Sequence, residues 1–201
     1  MASIARVSQA VVSAEPIWRL SVDQYHEMVR LGILGEDDPI ELLEGLLIAK
    51  MTKNPAHSTV AYITREAIAE ILPKGWHARG EQPITTVDSE PEPDVVIVRG
   101  NPRDYLQRHP APSDVALVVE VADSSLQRDQ TLKKRIYARA GIAVYWVMNL
   151  LDRRIEVYRE PAAAAKPPDY RHRQDYGTGD NILVEIEGVE VGLLAVKELL
   201  P

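Results

Sequence analysis

The alternation of apolar and polar positions divides this 201-residue chain into short elements of changing period. Ser21 opens a predicted helix through about Leu31, with Val22, Tyr25 and Val29 as its apolar stripe. Gly32, Gly35 and the turn GEDDP break it. IELLEGLLIAK (40–50) reads as strand, turn and strand around Glu44-Gly45. Residues 57–72 carry Val60, Ile63, Ala67, Ile68 and Ile71 at helical spacing, and Pro73 and Gly75 end the run. WHARGEQPITTV (76–87) reads as an extended polar segment, and SEPEP (89–93) as a turn. DVVIV (94–98) and VALVVEV (115–121) read as buried strands, separated by a proline-bearing loop. SSLQRDQTLKKRIYARAG follows as a helix, with Ser124 and Gln127 spaced for a capping box and Gly141 as its stop. AVYWVMNL and RRIEVYRE form a hairpin around Asp152; YRHRQDYG and NILVEIEGVEV add strands, and AVKELL closes as a short helix. With no internal repeat and no linker, the expected architecture is a flexible tail over 1–16 and a single mixed α/β (α+β) domain over 17–201.

Composition narrows the function. The formal net charge of -7 argues against a broad, sequence-independent grip on nucleic acid, although a local basic face is compatible with it. The absence of cysteine removes disulfides and thiolate zinc sites, so a metal would need oxygen or imidazole ligands: magnesium, manganese or calcium. No apolar run is long enough to span a bilayer, and MASIARVSQAVVSAEP is a poor signal peptide, which places the protein in the cytoplasm with no membrane partner.

Two carboxylates interrupt apolar strands. Asp94 begins one and Glu120 lies near the end of another. If these strands are antiparallel neighbours, the two acids meet, and like charges at that distance call for a cation between them. Magnesium is often held by one or two carboxylates. The plainer reading of Glu120 is a solvent-facing residue sharing a strand face with Val118 and Ala122. Asp129, Lys133 and Tyr137 fall four residues apart on one side of the following helix. They form either a surface ion pair or a lysine that reaches back over the carboxylates, its stem bordering a buried face of Leu132, Ile136 and Ala140. Arg128, Lys134, Arg135 and Arg139 make a local basic patch, either a contact for a phosphate backbone or an ordinary solvated face. Glu41 and Glu44 are a further acidic pair, and His57 lies at or near a helix start. No phosphate-binding loop, dinucleotide fingerprint or zinc spacing is present.

The ordered set IELLEG, NPAH, PDVVIV, LVVEVADSS, RDQTLKKRIYARAG, YWVMNL and IEVYREP resembles the Uma-two family, a branch of the PD-(D/E)XK nuclease superfamily, from about residue 16 to the C-terminus. The resemblance implies a restriction-endonuclease-like fold, a mixed central sheet flanked by helices, and magnesium-dependent cleavage of DNA phosphodiesters, with manganese as a substitute metal. It makes Asp94 the aspartate of the PD motif, Glu120 the acid of the next strand, and the two of them the metal ligands. Glu41 matches the early acid, with Glu44 as second choice, and His57 matches a frequent histidine. Where the superfamily lysine usually stands, two residues after Glu120, this chain has Ala122; Lys133 matches a lysine that the family places on the following helix, with Asp129 and Tyr137 one turn to either side. The implied nuclease has Asp94, Glu120, Lys133 and Glu41 as its catalytic set, DNA as its partner with Arg128, Lys134 and Arg135 as contacts, and a homodimer as its assembly. The competing class is a non-catalytic DNA-binding or regulatory protein on a nuclease-like fold. A metal-dependent hydrolase of smaller phosphodiesters is a third.

Overall fold

The computed structural model describes residues 16–35 and 38–201. The expected tail, apart from Pro16, lies outside the described residues, as do Glu36 and Asp37 of the GEDDP turn. The chain runs α1 (Val22–Arg30), β1 (Ile40–Leu43), β2 (Leu46–Ala49), α2 (Pro55–Ile71), β3 (Trp76–Gly80), β4 (Val95–Arg99) and β5 (Val115–Ala122). Residues 126–139 then form α3, followed by β6 (Val144–Asn149), β7 (Arg154–Ala162), β8 (Asp169–Gly177), β9 (Asn181–Ile186), β10 (Val189–Ala195) and α4 (Val196–Leu199).

The apolar runs become the middle of a six-stranded mixed sheet in the order β3-β4-β5-β6-β7-β8. Strand β4 pairs antiparallel with β5, with Val95 opposite Val119, so the start of one strand lies beside the end of the other. Strands β5 and β6 are parallel, and α3 supplies the crossover that a parallel pair requires. Every residue of β5 is buried because both faces of the sheet are covered. One face (Leu117, Val119, Val121, Trp146, Met148) packs under α2, α4 and the separate β9-β10 ribbon. The other face (Val118, Ala122, Tyr145, Val147) packs under Ile136, Tyr137 and Ala138 of α3. No helix among the described residues is long and apolar enough to cross a membrane.

Local chemistry moves several boundaries from their expected places. Helix α2 begins two residues early, because the Asn54 side chain accepts the His57 N–H and Pro55 occupies the first turn. Ser21 caps α1 in a capping box with Gln24, but of its stripe only Val22 is buried and Val29 is exposed. The capping box expected at Ser124 does not form: Ser125 precedes the helix in helical conformation, without a side-chain cap bond. The fully buried residues of α3 are Asp129, Lys133, Ile136, Tyr137 and Ala138, while Leu132 and Ala140 of the expected face pack partly buried against the same core. The helix widens over Asp129–Lys133, where the Lys134 N–H bonds the Asp129 carbonyl five residues back.

The β1-β2 hairpin turns on Glu44 and Gly45, both at positive φ (49° and 75°), the two-residue turn that suits strand twist. A Cβ on Gly45 would fall 2.6 Å from Arg19 Cβ and 2.9 Å from the Leu20 carbonyl oxygen. Gly45→Ala is therefore expected to destabilise the protein by about 1–3 kcal/mol. An unchanged thermal unfolding midpoint would show that the turn relaxes freely.

Candidate active site

Five parts of the fold deliver acids and bases to one small cleft, about 60 Å³, where the start of β4 meets the end of β5. Its lining includes Glu41, Lys53, His57, Asp94, Glu120, Arg128, Asp129 and Lys133. Asp94 stands immediately before β4, and its Oδ2 accepts the Val121 N–H of β5 at 2.8 Å. Its Oδ1 lies 2.9 Å from Lys53 Nζ and 3.0 Å from His57 Nε2. Burial raises the Asp94 pKa, but the hydrogen bond to His57 and the charge of Lys53 outweigh it and hold the carboxyl near 2. This fixes Asp94 as a carboxylate in one orientation.

Glu120 is 3% exposed, which removes the solvent-facing reading. Lys133 Nζ lies 3.0 Å from Glu120 Oε1 and 3.1 Å from Glu41 Oε2, and the Tyr137 hydroxyl donates to Glu120 Oε1 at 2.6 Å. Lys133 is only 4% exposed, so it does not border the core with its head in water; the whole side chain is enclosed. Burial pushes Glu120 up to about 8 in spite of Lys133, while Glu120 and Glu41 keep Lys133 charged above the usual lysine range. Buried alone, Glu120 would take a proton, but the geometry is that of an ammonium bridging two carboxylates. Ionisation of Glu120 therefore depends on positive charge held beside it. Asp129 is also buried and pushed up by desolvation, with Lys133 and a Ser125 hydrogen bond opposing. Glu41 arrives from β1, whose edge meets the 89–92 segment: the Glu90 N–H bonds the Leu42 carbonyl and the Glu92 N–H reaches Glu41 Oε2.

The structure thus brings Asp94, Glu120, Lys133, Glu41, His57, Asp129 and Arg128 together, with Tyr137 as support behind Glu120. Glu44 is directed elsewhere, since Arg135 grips it in two hydrogen bonds and Arg139 adds a third. Arg135 is spent in that pair and Lys134 in an ion pair with Asp169 at 2.8 Å, so neither is a free cation of the expected basic patch. Arg128 differs: its Nη1 donates to the Ala49 carbonyl, but its buried Nε has no partner. Sequence reading missed Lys53, which bridges Asp94 and Glu81 at 2.9 Å each. The N-cap and proline signals of Asn54-Pro55 would have placed it at the mouth of a helix whose first turn carries His57.

Among the described residues no three carboxylates or imidazoles are spaced as ligands of one cation; Lys133 and Lys53 lie among them instead. The donor set nonetheless suits a hard divalent ion. No hydrogen bond from the described residues reaches Glu120 Oε2 or Glu41 Oε1, so two buried side chains each keep an uncommitted acidic oxygen in one cleft.

A mixed sheet of this order, flanked by helices and carrying acids at the ends of two adjacent antiparallel strands, has the restriction-endonuclease-like architecture. The chain belongs to the Uma2 family, described as "Putative restriction endonuclease", whose profile matches residues 22–196. Among solved structures it is similar to a "putative nuclease belonging to DUF820" from Anabaena variabilis. The two are 16% identical with a TM-score of 0.62, over 90% of this chain and 97% of that one, a likeness of fold. No curated protein matches the chain.

Proposed function

We propose that this cleft hydrolyses phosphodiester bonds of DNA as an endonuclease, with magnesium, or manganese in its place, held by Asp94 and Glu120. One observation carries the reading: Asp94, Glu120, Glu41 and Lys133 come from four separate parts of the fold and converge in one cleft. When bound, the metal would supply Lewis acidity at the scissile phosphate. The protein's own part is positioning and charge. The Val121 N–H, Lys53 and His57 fix Asp94. Tyr137 and Lys133 occupy Glu120 Oε1 and leave Oε2 for the cleft. Lys133 stabilises the negative charge that grows on the phosphate or orients the attacking water, in a setting where a single fixed donor is worth about 10²–10³ in rate. Glu41 stands beside it as ligand or water-positioning group. The lysine does the work of the superfamily lysine from the helix instead of the strand.

The test is a plasmid-cleavage assay with wild type and Asp94→Ala, with and without magnesium. Nicking that requires magnesium and is lost in the variant is expected. Equal cleavage by both proteins would overturn the assignment. Plasmid bound but never cut would favour the non-catalytic class.

A further inference from the structure

The nuclease reading leaves a fully buried carboxylate outside the cleft without a role. Glu156 lies on β7 at 0% exposure, and the Gln130 amide donates to both of its oxygens at 2.9 Å. Gln130 belongs to the widened turn of α3, Asp129–Lys133, whose two ends carry the cleft's Asp129 and Lys133. Such a turn departs from the regular i→i−4 ladder, and turns of this kind often mark functional sites. Here two side chains hold it. The Tyr145 hydroxyl, from β6, donates to the Asp129 carbonyl at 3.0 Å, the same carbonyl that takes the Lys134 N–H. Gln130 ties the next residue to Glu156 on the neighbouring strand. The turn is therefore pinned at adjacent residues to the two strands beneath it.

We propose that Gln130, anchored on Glu156, and Tyr145 are positioning residues: they keep the turn wide and so aim Lys133 at Glu120 and Glu41. Neither touches the expected substrate. A regular helix through 126–139 would rotate the segment Lys133–Arg139 as a unit relative to Leu126–Asp129 and the strand end that carries Glu120, and the lysine would leave the carboxylates it bridges. Gln130 and Tyr145 act on the reaction through the lysine's place alone, which rests on the nuclease reading for its kinetic consequence but not for its structural one.

Gln130→Met and Tyr145→Phe each remove one tie and keep most of the side-chain volume. Two measurements are made on each folded variant: steady-state cleavage of an oligonucleotide duplex in magnesium, and the proton–nitrogen NMR signal of the Lys133 ammonium, which its burial shields from water. The expected result is kcat lower by about tenfold or more with KM within about twofold, and a displaced or broadened Lys133 signal. A merely structural role would lower the unfolding midpoint and leave both readouts in place. Unchanged kcat and an unchanged Lys133 signal in both variants would overturn the proposal. An inactive wild type whose Lys133 signal still moves in the variants would remove the nuclease reading and keep the positioning.

Discussion

Lys133→Met is expected to abolish cleavage and also to destabilise the fold, by about 3–5 kcal/mol. The lysine lies between Glu120 and Glu41, all three side chains being about 5% exposed or less, and Met matches its stem without its charge. Removing the ammonium leaves two buried carboxylates facing one another at the base of a narrow cleft. Glu120 would relieve part of this by taking a proton, since burial already raises it. The cleavage loss and the stability loss then have different remedies. Adding Glu120→Gln to Lys133→Met removes one of the stranded charges while the amide keeps the shape, so the double variant should recover much of the stability and none of the activity. Chemical denaturation and plasmid cleavage on the two single variants and the double variant complete the cycle. A single variant as stable as wild type would mean that the carboxylates do not rely on Lys133. A double variant that cleaves would mean that neither residue belongs to the chemistry.

The strands and most helices were legible because their signals are local. Apolar runs, Glu44-Gly45, Gly141 and the Ser21 cap each specify their own few residues, and the structure has them there. The antiparallel meeting of Asp94 and Glu120 was legible as a condition on topology, and the pairing of β4 with β5 meets it. Lys133 was singled out by its spacing and the resemblance, with its stem at the border of a face of Leu132, Ile136 and Ala140. In the structure Leu132 and Ala140 pack partly buried against the core, and Lys133 is buried with Ile136 and Tyr137 at the end of a wide turn. No local pattern announces that turn, because its ties are to Tyr145 and Glu156, 16 and 26 residues away along the chain. The pairing within the basic patch was hidden for a similar reason. Helical spacing gathers Arg135 and Arg139 on one side, but only the tertiary structure shows that Glu44 and Asp88 already neutralise them. Glu44 was drawn out of the candidate site by the same pairing, which ties the turn of the Glu41 hairpin to the helix of Lys133.

Glu156 was read as one more residue of a hairpin strand, and replacing it should have an effect comparable to that of Lys133→Met. Its two oxygens collect Gln130, Asn149 and the Tyr158 hydroxyl, with Arg154 and Arg173 at 3.3 and 3.2 Å. Glu156→Ala strands these donors around a cavity, at a cost of about 3 kcal/mol, most of it from the uncharged donors because Arg154 and Arg173 are 35% and 41% exposed. It also frees Gln130, so any protein that folds should share the low kcat expected of Gln130→Met. Burial raises the Glu156 pKa, but the hydrogen bonds from Asn149, Tyr158 and Gln130 and the charge of Arg173 more than offset this, and the net position is below the ordinary 4.5. A folded pKa below the unfolded one contributes stability that is present above 4.5 and is lost as pH falls through the lower, folded value. The stability gap between wild type and Glu156→Gln, measured by urea unfolding, should therefore be widest at neutral pH and narrow in acid. A gap that holds constant into acid would mean that the lost hydrogen bonds, and not the carboxylate's charge, account for the whole effect. The anchor of the lysine-bearing turn would then be polar rather than ionic.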